Sequence, residues 1–142
     1  MCNEGKPTIM RIKLIFIVLS ICSICNGQEN EKISLMTFIQ TLNGNHEEAI
    51  FYYQNNRKII GEMALKKGYI ESFQILETPY SEDAPFHIIL ITTFKNKEEY
   101  DNREKGYNEL IKEKGHLELM NDKKPDEFRK VLFKKRMVKH LN

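Results

Sequence analysis

Apolar and β-branched residues crowd the stretch Phe86 to Phe94 (Phe-His-Ile-Ile-Leu-Ile-Thr-Thr-Phe), which is closed by Pro85 and Asn96. A side-chain period of two makes it a central strand, with Phe86, Ile88, Leu90, Thr92 and Phe94 on one face and His87, Ile89, Ile91 and Thr93 on the other. Neither face is made for water. One layer of helices covers one face of a sheet, so the second face predicts a cover supplied by another chain. A comparable run, Ile33 to Leu42, predicts the first strand, stopped by Asn43-Gly44. Asn45 with Glu48 three residues on reads as a capping box. Ala49, Tyr53, Arg57, Ile60 and Ala64 then keep helical spacing up to Lys66-Lys67-Gly68, which predicts one helix over 45–67.

Tyr69 to Thr78 predicts a second strand, more polar and so nearer an edge, joined to the central strand through the turn-forming segment Pro79 to Pro85. Asn96 and Glu99 repeat the capping box, and Tyr100, Arg103, Tyr107, Leu110 and Lys114 trace a second helix ending at Gly115. Leu117, Leu119 and Met120 leave room for that helix to continue. The tail carries two readings: a fourth strand over Arg136 to Leu141, or a helix running from Pro125 to Leu141. With the strand, the order is β-α-β-β-α-β, an α+β ferredoxin-like split β-α-β with a four-stranded antiparallel sheet.

The start of the chain follows a different pattern. Arg11 and Lys13 precede the apolar run Leu14 to Ile24, which is too short for the roughly 20 residues of a membrane-spanning helix. Cys25-Asn26-Gly27 places small residues before a cut at Gln28, so residues 1–27 read as a cleaved signal peptide and 28–142 as one exported domain, periplasmic or secreted. Met10 stands directly before the positive pair, which leaves Met1 and Met10 as alternative starts.

Removing the leader changes the chemistry on offer. All three cysteines (Cys2, Cys22, Cys25) go with it, which excludes disulfides and thiol nucleophiles from the mature domain and leaves an ordinary apolar core to hold it. From 22 basic and 20 acidic residues, the leader takes Lys6, Arg11, Lys13 and Glu4, so 19 of each remain and net charge favours neither nucleic acid nor membrane surfaces. His46, His87, His116 and His140 lie too far apart in sequence to make a metal motif, and Ser34, Ser72 and Ser81 sit in no nucleophile context. No metal and no cofactor is implied.

His87 is the one histidine interleaved with isoleucines on the central strand. Packing is its plainer role and general-base catalysis the sharper one, so it stands as the catalytic candidate. His46 reads as solvated. Tyr52, Tyr53, Tyr100 and Tyr107 fall at helical spacing, where core packing with a wet hydroxyl is the default and substrate contact the rival. Between Lys123 and His140 the chain carries Lys123, Lys124, Arg129, Lys130, Lys134, Lys135, Arg136 and Lys139 against Asp126 and Glu127, which reads as a solvated face or else a contact for an anionic partner.

Assembled in this order, Ile33 to about Gly115 resembles the dimeric α/β barrel superfamily, the ferredoxin-like proteins that include antibiotic-biosynthesis-monooxygenase-like, EthD-like and NIPSNAP-like proteins. The resemblance rests on Leu35-Met-Thr-Phe-Ile, Lys66-Lys67-Gly68-Tyr69-Ile70, Phe73-Gln-Ile-Leu-Glu-Thr-Pro, the strand from His87 to Phe94, and Asn96-Lys-Glu-Glu-Tyr. It implies a homodimer packed sheet to sheet, which would cover the His87 face, and carries over no catalytic residue. Two function classes follow. One is an exported dimer binding a small apolar molecule or a partner between helices and sheet, with no nucleic acid and no stable membrane insertion after cleavage. The other is a cofactor-independent monooxygenase or isomerase using His87 and a nearby tyrosine.

Overall fold

The computed structural model describes residues 31–141, so the leader and the cut before Gln28 lie outside the described residues. Strand β1 (Ile33–Thr41) leads through a left-handed Asn43-Gly44 turn, φ 55° and 70°, into helix α1 (His46–Tyr52). A π-helical segment, Tyr53–Arg57, joins α1 to α2 (Lys58–Lys67). Gly68 closes α2 at φ 72°, with Gly68 N donating to Leu65 O and Tyr69 N to Ala64 O, a Schellman closure that only a residue tolerant of positive φ makes cheaply. Strands β2 (Ser72–Glu77) and β3 (Ile88–Phe94) follow, then helices α3 (Lys97–Asp101) and α4 (Arg103–Lys114), the single turn α5 (Pro125–Phe128) and strand β4 (Arg129–Lys139).

The fold is α+β with a four-stranded antiparallel open sheet in the order β2-β3-β1-β4, compatible with a ferredoxin-like arrangement. As the patterns predict, β3 is internal and β2 an edge. The helical alternative for the tail is corrected. Only Pro125–Phe128 is helical, and the fourth strand begins at Arg129, seven residues before the predicted Arg136. Two irregularities in β4 hid it. Its register against β1 shifts between Phe38 and Ile39 and again between Ser34 and Met36, and Met137 in the second takes φ 55°. Each extra residue resets the alternation of faces, so no period of two runs through the strand.

The Asn45 capping box is also corrected. Asn45 makes no cap; its amide donates to Glu127 O and its Oδ1 accepts from Lys123 Nζ. Glu48, at 8% exposure, accepts from Lys123 Nζ at 2.5 Å and from Asn121 Nδ2, and the ammonium holds its carboxyl below the usual range. The segment leading to β4 has taken both side chains. The Asn96 cap forms as expected, with Glu99 N donating to Asn96 Oδ1 at 2.9 Å.

The helices cover one face of the sheet, and the core there forms two apolar clusters. One gathers Ile33, Ile60, Ala64, Ile70, Phe94, Tyr100 and Leu110; the other gathers Ile39, Ala49, Tyr52, Tyr53, Ile88 and Phe128. Gly61 sets how close α2 comes to the sheet, because a Cβ there would stand 2.8 Å from three atoms of the Phe73 ring. Gly61→Val should therefore destabilise the domain by about 1–3 kcal/mol through overpacking, read as a lower urea midpoint. Among the described residues no helix is long and apolar enough to cross a membrane.

Candidate functional site

A cavity of about 800 Å³ opens between the helices and the sheet and borders both core clusters. Its floor is the helix-facing side of the sheet: Leu35, Thr37 and Ile39 of β1, Leu90, Thr92 and Phe94 of β3. Its roof is Tyr53, Arg57, Ile60 and Ala64 on one helix and Tyr107 and Leu110 on the other. Arg57 donates to the Tyr107 hydroxyl, with its guanidinium 4.6 Å over that ring, so the two helices are tied across the opening.

The roof is shaped by the π-helical turn. Asn55 Nδ2 donates to Phe51 O at 2.9 Å and Asn56 Nδ2 to Tyr52 O at 3.0 Å, the carbonyls that the backbone N–H groups of these two residues would use in an α-helix. The widened turn is then held from outside: Asn56 also donates to Glu118 O at 2.7 Å and accepts from Glu118 N at 2.8 Å. One result is that Tyr52 and Tyr53, neighbours in sequence, are both buried, edge to face at 5.3 Å. π-turns of this kind recur at functional sites.

Tyr53 is 1% exposed, yet its hydroxyl has no hydrogen-bond partner among the described residues. Burial pushes its pKa up to about 12, so it is a proton donor and not a base. The expectation of a wet hydroxyl is overturned, because Tyr53 lies inside the core. Arg129, the first residue of β4, also lines the cavity, and its buried Nε is the second unpartnered atom. The guanidinium carbon lies 4.9 Å from the Tyr52 ring centroid and 5.8 Å from that of Tyr53. Because the first β4 irregularity sets Val131 opposite Ile39 but Phe133 opposite Phe38, Lys134 falls opposite Thr37 and joins Arg129 and Val131 on the cavity wall. The basic tail is thus not one solvated face. Arg129 and Lys134 border the cavity, and Lys123 is tied to Glu48.

Tyr53 also marks a pH dependence. The phenol ionises near pH 10 in an unfolded chain and near 12 here, so stability is intact below pH 10 and lost as pH climbs through that window, by roughly 2–3 kcal/mol. Tyr53→Phe should flatten that alkaline loss. At neutral pH it should cost nothing beyond about 0.5 kcal/mol, because no protein hydrogen bond is removed. Denaturant titrations across this pH range check both.

His87 lies elsewhere. It stands just before β3, it does not line the cavity, and it does not share a face with Ile89 and Ile91. The alternation fails at His87–Ile88, where Ile88 pairs with Ile39 and His87 N also donates to Ile39 O at 2.8 Å, so two residues stand opposite one at the mouth of the ladder. Phe86 consequently packs on Phe38 at 4.9 Å, on the side of the sheet away from the helices, where the pattern had placed it on the Ile88 face. His87 Nδ1 accepts from Thr41 N at 3.2 Å, and the ring stacks on Tyr80 at 5.5 Å and lies 6.0 Å from His46. Burial, then the neighbouring His46, lowers its pKa, and the bond from Thr41 N leaves the neutral ring's proton on Nε2. His46 pairs with Glu77 at 2.8 Å, so it is not simply solvated. Among the described residues no group of three or more His, Cys, Asp or Glu could hold a metal ion.

The sheet face away from the helices is apolar at its centre. Phe38 stacks on Phe133 at 4.5 Å, with Met36, Ile89 and Ile91 half-buried beside them, and Phe133 and Leu76 are 43% and 41% exposed. At one end the face turns polar, where Ser34 Oγ bonds both Thr93 Oγ1 and His140 Nε2 at 2.8 Å. Comparison with known proteins adds no relative: no family model, no curated protein and no solved structure matches this chain.

Proposed function

We propose that this chain is an exported homodimer of the dimeric α/β barrel kind that binds a small, largely apolar molecule between its helices and its sheet. The cavity carries this reading. Its volume, about 800 Å³, lies inside the range of small-molecule sites, roughly 300–1,000 Å³, and its apolar floor is rimmed by charged and polar side chains of the helices and β4.

The dimer rests on the other face of the sheet. Met36, Phe38, Ile89, Ile91 and Phe133 make a contiguous apolar surface on adjacent strands, and a second copy offers the same surface in a self-complementary pairing. Export rests on the charge, length and small-residue end of residues 1–27. His87 is not among the residues lining this cavity, so the binding reading makes no use of it. Native mass spectrometry of protein purified from its own source is the test. A dimer mass with a retained compound that leaves on denaturation is expected. A bare monomer that also takes up no apolar compound would defeat the proposal.

A further inference from the structure

Taking the cavity as a ligand site, we infer that its ligand is an organic acid: an apolar body carrying an anionic group, seated with that group against Arg129. The guanidinium cannot shed its proton, so it remains a cation wherever it is placed. Among the described residues the Arg129 side chain makes no ion pair, and its Nε is shut off from solvent without a hydrogen-bond partner. The rings of Tyr52 and Tyr53 offset part of that cost, but cation–π contact is worth only about 0.5–2 kcal/mol and satisfies no N–H group. A partly buried cation of this kind calls for a counter-charge.

The described residues do not supply one. The carboxylates that border the cavity stand on α3 and α4, beside the end of the sheet where Ile33 pairs with Phe94, whereas Arg129 pairs with Thr41 at the opposite end of β1. Three of them are engaged there: Glu109 with Lys67 and Tyr69, Glu99 with the backbone of Lys95, and Glu104 with Arg103. At the Arg129 end the nearby polar groups are donors. Tyr53 keeps its proton and has no acceptor; farther along the same wall Lys134, opposite Thr37 at the middle of β1, adds a second cation with no ion pair among the described residues. An ionised carboxylate on a flat apolar body would answer Arg129 and Tyr53, with Lys134 adding to the positive field along the wall, while its body fills the space over Leu90 and Thr92.

The test compares 1-naphthoate with its neutral isostere 1-naphthamide by equilibrium titration of the unmodified protein near neutral pH. The acid should bind about tenfold or more tightly than the amide, the usual worth of a charge-assisted contact. Arg129→Met, which keeps the apolar stem, should erase the difference by weakening the acid while leaving the amide within about twofold. Should that variant fail to fold, Lys134→Gln on an exposed side chain serves instead, again weakening the acid alone. Equal affinity for both probes would overturn the organic-acid inference and leave the cavity reading standing. Failure of both probes to bind would overturn both.

Discussion

Phe128→Ala should destabilise the domain by about 3–5 kcal/mol, the usual cost of emptying a fully buried aromatic site. Phe128 is 0% exposed and packs with Ile39, Ala49, Ile88 and the Tyr52 ring, whose centroid is 5.6 Å away. It also pins the start of β4, since Leu42 N donates to Phe128 O at 2.9 Å. Removing the ring opens a hole among β1, α1 and α5 that rigid strands cannot close. Against a typical domain stability of about 5–15 kcal/mol, that loss would leave a marginal fold. The neighbouring Arg129 would lose its seat over the tyrosines, so affinity for acidic probes should fall with it. Urea unfolding measures the first effect, and a loss under about 1 kcal/mol would show that Phe128 is not the anchor.

Ile89→Glu should convert the proposed dimer to monomer, with an expected loss of association of several kcal/mol. A carboxylate on each copy would be buried without a partner at the two-fold contact, where like charges also face each other. In an isolated chain the same change would cost little, because Ile89 is only half-buried there. The size of the effect therefore reports on the assembly and not on the fold. Sedimentation velocity of both proteins decides it. An unmodified protein that remains monomeric at high concentration would contradict the dimer, and the variant would then behave like its parent.

The sequence revealed what depends on unbroken periodicity. β1, β3 and the long first helix announce themselves through runs of branched residues, through helical spacing from Ala49 to Ala64, and through Gly68 at a left-handed closure. It concealed what depends on local departures from regularity. The two register shifts in β4 scattered its faces, so Arg129 and Lys134 looked like members of one basic run instead of residues on the cavity wall. The irregularity at His87–Ile88 put Phe86 on the open face and set the candidate base beside His46, outside the cavity lining. Asn55 and Asn56 were the one local signal of the π-helical turn, since adjacent amides compete for helix carbonyls, but the pattern alone reads as an ordinary helix. Tyr53 was legible as a buried position; the missing partner of its hydroxyl was not, because that depends on what β4 brings opposite.

The most direct measurement of where a small molecule binds is methyl-resolved NMR during titration with an apolar probe, because adjacent residues of β3 report on opposite faces of the sheet. Leu90 lines the cavity, whereas Ile89 and Ile91 lie on the open face. Binding between helices and sheet should move the methyl signals of Leu90, Leu35 and Ile60 in a saturable way, while those of Ile89 and Ile91 stay in place. Saturable shifts at Ile89 and Ile91 with none at Leu90, Leu35 and Ile60 would place the site on the open face and contradict the account.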